Sequence, residues 1–245
     1  MNILLLSDLH ANRAALAAAI KKLHAIHTAR PIAACLLLGD LIDYGLHSNE
    51  VIEMVKALPF PVLCSLRGNH EDAILRDTYE RFSSDRGRES ARYTRSILND
   101  ASLAYLMDEM EDAGKKEFEI NGKKCLAVHG SLADEYWGTI RPEDDLSAYS
   151  GYDYVFSGHS HLPHYFERYY PCDDAAHRNK KKTIFINPGS VGQPRNLNPA
   201  AQFALLDTET EQVIFEKVTY DIEREQSAFD GRVDDFYRER LKWGI

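Results

Sequence analysis

Three histidines, His159, His161 and His164, fall within six positions of the stretch VFSGHSHLPH, directly after the apolar run Tyr154, Val155, Phe156. Alternate residues of an extended segment project to one side, so His159 and His161 can present two imidazoles to the same point. Four other segments end in a similar way. Asp8-Leu9-His10, Gly39-Asp40, Gly68-Asn69-His70 and Val128-His129-Gly130 each close an apolar run. Singly, each has an ordinary reading: a helix cap beside a surface imidazole, a turn, an Asn that bonds local backbone, a satisfied core histidine. Jointly they supply oxygen and nitrogen donors without a thiolate. That donor set suits borderline divalent metals such as manganese, iron, nickel or zinc.

The elements that must carry these groups are legible as well. Every polar group stands just past the C-terminal end of an apolar run, the edge at which open α/β sheets bind ligands. Residues 2–7 form the first such run. Asn12 can cap a helix in which Leu16, Ala19, Ile20 and Leu23 recur at helical spacing. AACLLLGD reads as a second strand, SNEVIEMVKAL as a helix starting at a Ser48 cap, and PVLCSLRGNH as a third strand. From Glu71 to Met110 the pattern is helical, with breaks near 83–87 and 99–100. EFEI, Asn121-Gly122 and KKCLAVHG make a hairpin with the expected turn dipeptide. YDYVFSGH follows a short helix around 142–149. HYFERYY, KTIFINPGS, QFALLD and QVIFEKVTY are four more strands, with the polar loop CDDAAHRNKKK between the first two. A closing helix would set Phe229, Val233, Phe236, Tyr237 and Leu241 on one face, expected to pack on the chain's own sheet, with a second copy as the alternative partner. Strand–helix alternation in the first half favours parallel pairing; the last third is hairpins.

Composition narrows the function. A chain of 245 residues accommodates one large α/β domain. Hydrophobic content of 44% and charged content of 27% are those of a soluble globular protein. No stretch is long and apolar enough to cross a bilayer, and MNILLLSDLH lacks a basic n-region, so it is expected to be a strand and not a signal peptide. Cys35, Cys64, Cys125 and Cys172 show no CxxC pairing, and a cytoplasmic protein with free thiols is expected. The net charge of -9 argues against nucleic acid as partner. A small anionic substrate stays compatible, because a bound cation inverts the local field.

In order along the chain, SDLH, GDLID, RGNHE, VHG and GHSH match D-x-H, G-D, G-N-H-[DE], H and G-H-x-H. These are the five signature blocks of the calcineurin-like metallophosphoesterases, which the chain resembles from Asp8 to about Asn196. INPGSVGQPRN resembles the small prokaryotic phosphodiesterase branch. The resemblance implies a four-layer α/β/β/α sandwich, two mixed sheets flanked by helices, in a single domain over 1–245 with the helical segment 71–110 able to cap the site. It implies two divalent transition metal ions, manganese foremost and iron, nickel or zinc as alternatives. One ion would be held by Asp8, His10, Asp40 and His161, the other by Asp40, Asn69, His129 and His159, with Asp40 bridging. Such a pair lowers the pKa of a shared water toward ~7. By the same resemblance His70 protonates the leaving oxygen, with Glu71 orienting it. Arg67, Arg195 and Asn69 are the candidate substrate contacts, each arginine having a surface position as its alternative. Asp43 is expected to make structural hydrogen bonds, His164 to reach the substrate rim at most, and His24, His27, His47 and His177 to lie on the surface.

The expected activity is hydrolysis of a small phosphodiester or nucleotide-type substrate. Phosphomonoesterase and dinucleoside polyphosphate hydrolase are the alternatives. A non-catalytic scaffold fits poorly because the ligand set has no gap, and a nuclease fits poorly because the chain is acidic. Phosphoprotein phosphatase is disfavoured because Tyr44 stands where that group carries an arginine. The segments 71–110 and 131–140 are expected to wall the site, with Tyr136 or Trp137 able to stack on a base. No membrane partner is expected, and self-association stays open.

Overall fold

The computed structural model describes residues 1–245 and contains two five-stranded mixed sheets. In the first, β1 (Asn2–Leu6), β2 (Ile32–Leu37) and β3 (Val62–Ser65) pair in parallel. α1 (Arg13–Ala29) and α2 (Ser48–Lys56) make the crossovers. α3 (Asn69–Leu75), α4 (Asp85–Ile97) and α5 (Asp100–Ala104) follow β3. The second sheet contains β4 (Lys115–Ile120), β5 (Lys123–Val128), β6 (Tyr154–Ser157), β7 (His164–Pro171) and β8 (Lys180–Asn187), in the order β4-β5-β6-β8-β7. The chain then returns to the first sheet as the antiparallel hairpin β9 (Ala201–Asp207) and β10 (Gln212–Val218), completing the order β10-β9-β1-β2-β3. α6 (Ile222–Gln226) and α7 (Asp235–Arg240) end it.

The two-residue period of the strands builds the layers. In β1, Leu4 and Leu6 enter the core beneath the helices, while Ile3 and Leu5 enter the core between the sheets. β2 divides likewise, Cys35 and Leu37 against Ala34 and Leu36. In β5 and β6, Cys125, Ala127, Tyr154 and Phe156 face the first sheet; Leu126, Val128 and Val155 face outward under Ile140, Leu146 and Tyr149. Strands buried on both faces read as continuous apolar runs, which is why these runs stood out in the sequence. The hairpin β4–β5 turns at Asn121 and Gly122, both in the left-handed region (φ 51° and 73°), as a two-residue primed turn requires. The short helix expected near 142–149 is a single 3₁₀ turn, Ser147–Tyr149.

Segment 71–110 breaks where two side chains cap new helices. Ser84 Oγ accepts from Gly87 N at 3.2 Å, and Asn99 Oδ1 from Ser102 N at 2.8 Å. Its buried residues Ala73, Ile74, Phe82, Ala91, Leu98, Tyr105, Leu106 and Met110 join the same core as α1 and α2.

The closing helix is not as expected. Instead of one long helix on a sheet, there are two short ones, α6 and α7, separated by Gly231 in the left-handed region (φ 86°). Phe229, Val233, Tyr237 and Leu241 pack on Tyr44, Leu46, Tyr93 and Ile222, beside the rim of the polar cluster. Phe236 lies outside this cluster, 37% exposed, with the guanidinium of Arg86 over its ring. The apolar spacing is genuine, but its partners are the loop after β2, α4 and α6.

Candidate metal centre and substrate cleft

The loops after β1, β2, β3, β5 and β6 converge where the two sheets meet. Backbone bonds lock them together: Asp8 N donates to Gly39 O, His10 N to Asp40 O and Gly158 N to His129 O, at 3.0, 3.0 and 2.9 Å. Asp8, His10, Asp40, His159 and His161 all occupy the left-handed region, with φ between 45° and 60°. That conformation costs a non-glycine residue roughly 1–2 kcal/mol and is retained where the surroundings impose it, often at functional sites. Glycine is needed beside them. A Cβ on Gly68 would run into the Asp40 carboxylate, and one on Gly39 (φ 97°) would lie 2.6 Å from His129 Nδ1.

Two groups of ligand atoms result. Those of Asp8, His10, Asp40 and His161 lie within 4.8 Å of one another, as do those of Asp40, His129 and His159. Asn69 Oδ1 completes the second group, 3.0 Å from His129 Nε2 and 2.9 Å from His159 Nδ1. The rings are held from behind. His10 Nδ1 donates to Ile42 O at 3.3 Å, His161 Nδ1 to Gln193 O at 2.5 Å, and His129 Nδ1 to Leu38 O at 2.6 Å. A proton on Nδ1 leaves Nε2 as a lone pair. His10 Nε2 and His161 Nε2 are then two acceptors facing each other at 3.1 Å, and His129 Nε2 faces Asp40 Oδ2 at 3.3 Å. Asp8 Oδ1 is buried with no hydrogen-bond partner. Converging lone pairs, with a carbonyl behind three of the four imidazoles, fit a pair of divalent ions.

The protonation preferences agree for three of the four histidines. Burial, then His70, holds His10 well below its ordinary value; burial, then His129, lowers His159 to about 3; burial and Arg195 lower His161. Neutral imidazoles are the ligating form. For His129 burial acts downward too, but Asp40 and Asp8 outweigh it and push it up to about 9. Cations beside those same carboxylates would compete for them and release that proton.

His70 is buried beside the cluster and lines the cleft above it, its Nε2 3.9 Å from Asp40 Oδ2. Its Nδ1 lies 2.6 Å from Asp43 Oδ2, so Asp43, and not Glu71, orients it. Glu71 has another task. Its carboxylate accepts from four backbone N–H groups, Asp40 (2.9 Å), Leu41 (2.7 Å), Ile42 (3.2 Å) and Gly68 (2.7 Å), tying the loop after β2 to the loop after β3. Burial, then Asp40, push its carboxyl up to about 7, against the pull of the Gly68 N–H.

The cleft over the cluster has a volume of about 250 Å³ and is lined by Tyr44, Arg81, Ser83, Trp137 and Arg195 together with ligand-cluster residues. Arg67 is not among its lining residues. Its Nε and Nη2 donate to Leu106 O and Met107 O, both at 2.7 Å, which fastens the π-helical turn Tyr105–Glu109 to the end of β3. Arg195 does line the cleft, with its Nε buried and unpartnered. Arg81 stands there as well, paired with Asp134 at 3.1 Å and lying over the Trp137 ring. Trp137 lines the cleft, whereas Tyr136 packs its hydroxyl on Asp112 O. His164 is absent from the lining; burial lowers it to about 4, and its Nε2 has no partner. Asn12 caps α1 through Ala15 N at 3.0 Å.

Comparison with known proteins agrees with this geometry. The sequence model of the calcineurin-like phosphoesterase superfamily domain matches residues 1–211. The chain belongs to that family. It is a phosphoric ester hydrolase of a family that works with two metal ions. A metallophosphoesterase from Sphaerobacter thermophilus is 27% identical, with full coverage of both chains and a TM-score of 0.76. A hypothetical protein from Pyrococcus horikoshii is 22% identical over 100% of this chain and 98% of its own, with a TM-score of 0.82. An uncharacterized protein of Methanocaldococcus jannaschii is 29% identical over 99% of this chain and 98% of its own.

Within this phosphoesterase the stretch after β8 acts as a brace. Asn187 Nδ2 donates to Gly158 O at 2.7 Å, and Ser190 Oγ to Asp8 O at 2.7 Å, so the N-P-G-S segment holds the loops that carry Asp8 and His159. Sequence reasoning missed Arg81 and Ser83, which belong to no motif and line the cleft. Asp43, expected to make structural hydrogen bonds, does so with Ser90 and Thr94; its contact with His70 was the part not foreseen, although Asp43 lies inside the GDLID block three residues after Asp40.

Proposed function

We propose that this hydrolase cleaves a small phosphodiester or nucleotide-type substrate over two divalent transition metal ions, manganese foremost. Asp8, His10, Asp40 and His161 would hold one ion, and Asp40, Asn69, His129 and His159 the other. The observation that carries this reading is the convergence of imidazole nitrogens and carboxylate oxygens, with Asp8 Oδ1 buried and unpartnered, at the junction of the loops. When bound, the ions supply Lewis acidity toward phosphoryl oxygen and an activated water. The chain's own residues do the rest. His70 donates a proton to the leaving oxygen; burial would lower its pKa, but Asp40 and Asp43 raise it and so favour the proton-carrying form. Arg195 and Arg81 reach the phosphate or its substituents from the cleft walls, and Trp137 offers an aromatic face to a base.

Preference for a diester rests on charge. Arg81 is already paired with Asp134, and Tyr44 replaces a further cation, so the cleft suits one negative charge better than two. A phosphomonoesterase or a dinucleoside polyphosphate hydrolase is the alternative. Residues 1–245 are taken as one domain, with segment 71–110 walling the cleft. Free thiols at Cys35, Cys64, Cys125 and Cys172 support a cytoplasmic setting. The test is a metal-reconstituted screen over phosphomonoesters, cyclic nucleotides and dinucleotides, including bis-(p-nitrophenyl) phosphate against p-nitrophenyl phosphate. A faster diester across several metals is expected. The reverse order would make the enzyme a monoesterase.

A further inference from the structure

Helix α4 presents two hydroxyls where an apolar side chain would otherwise fill the core. Ser90 and Thr94 are one turn apart and therefore on the same face, and they are 1% and 0% exposed. A buried helical hydroxyl commonly bonds back to the carbonyl one turn earlier. Neither does so here. Ser90 Oγ donates to Asp43 Oδ1 at 2.6 Å, and Thr94 Oγ1 donates to the same oxygen at 2.8 Å. The other oxygen of Asp43 faces His70 Nδ1 at 2.6 Å, and the carboxylate is fully buried.

The two oxygens of Asp43 are thus divided. Both hydroxyls act as donors to Oδ1, which fixes the rotation of the carboxylate about its last bond and turns Oδ2 to the imidazole. We propose that Ser90 and Thr94 are positioning residues for proton delivery by His70, acting through Asp43, so that α4 is part of the machinery of the reaction and not only a wall of the cleft. This rests on the reading of His70 as the acid that protonates the leaving oxygen. Neither hydroxyl lines the cleft, and the hydrogen bond each makes goes to Asp43.

The experiment compares Ser90→Ala, Thr94→Val and the double variant with His70→Ala, each loaded with manganese, on bis-(p-nitrophenyl) phosphate and on an aryl phosphodiester with an unactivated phenol as leaving group. Only the second needs its leaving oxygen protonated. For the double variant, kcat on the poor leaving group should fall about tenfold or more, toward the His70→Ala value, whose loss is typically ~10²–10⁴-fold. KM, metal content and kcat on the activated ester should stay within about twofold. Ser90→Thr and Thr94→Ser, which keep the hydroxyls, should restore the rate on the poor leaving group. An equal loss on both esters, or no loss while His70→Ala shows the leaving-group effect, overturns the proposal and leaves the acid role of His70 standing. If His70→Ala itself shows no leaving-group effect, the acid reading and this proposal fall together.

Discussion

The Nε2 atoms of His10 and His161 face each other at 3.1 Å, although each ring donates its Nδ1 proton to a backbone carbonyl. Two lone pairs at that distance repel unless a cation lies between them and the nearby Asp8 Oδ1, itself 3.2 Å from His161 Nε2. Hydrolysis of a chromogenic phosphodiester should therefore vanish in chelator and return with manganese or another transition ion. Magnesium should restore it poorly, because imidazole ligands favour the later metals. Full turnover by a metal-stripped sample would sink the dimetal reading.

Asp40 and His70 should fail in different ways. Asp40 belongs to both ligand groups, and burial would raise its pKa but His129 and His70 hold it well below the usual carboxylate range. Asp40→Asn removes that charge and should cost metal occupancy and activity together, measured by elemental analysis of the purified variant. His70 contributes no atom to either group, so His70→Ala should keep both metals and lose rate, roughly 10²–10⁴-fold. An empty metal position in His70→Ala would reassign that histidine as a ligand.

Glu71→Gln should act on stability first. The glutamine amide offers one oxygen acceptor, and its NH₂ would face backbone N–H donors at Asp40 and Gly68 or at Leu41 and Ile42. Leaving charge-assisted, buried donors unsatisfied costs on the order of 3 kcal/mol. Denaturant unfolding of the metal-free protein should register that loss, separating a brace from a residue that merely tunes His70. An unchanged midpoint with a lowered rate would return Glu71 to the catalytic role.

How much of this was legible beforehand depends on whether a role is local. Asp8, His10, Asp40, Asn69, His129, His159 and His161 could be read from the chain because each sits at the end of an apolar run, and runs and ends are local signals. The hairpin at Asn121-Gly122 was legible for the same reason: two left-handed residues in succession need those types. Roles set by distant partners were not. Glu71 adjoins His70 in the chain, yet helix α3 turns its side chain back to the Gly68 and Asp40 amides, while Asp43 reaches the imidazole from another loop. The face of Phe229, Val233, Tyr237 and Leu241 was visible, but nothing in its spacing could name Tyr44, against which Tyr237 stacks with ring centroids 4.2 Å apart.

The arginines give the sharpest contrast between motif and place. Arg67 lies within the RGNHE block, but both bonds of its guanidinium go to main-chain carbonyls of Leu106 and Met107. Arg195 carries no motif assignment of comparable strength, yet it lines the cleft with an unpartnered Nε, and Arg81 lines the same cleft. Arg195→Ala should raise KM for a phosphodiester by about ten- to a hundredfold, the worth of one charge-assisted hydrogen bond of roughly 1.5–3 kcal/mol. Arg81→Ala should raise it less, since Asp134 already shares that guanidinium. Arg67→Ala should leave KM unchanged and lower the melting temperature instead, because the turn over 105–109 loses its fastening to β3. Steady-state kinetics on the three variants, with a thermal melt of each, decide it. A raised KM in Arg67→Ala with an intact melt would mean that the guanidinium leaves those carbonyls to meet the substrate.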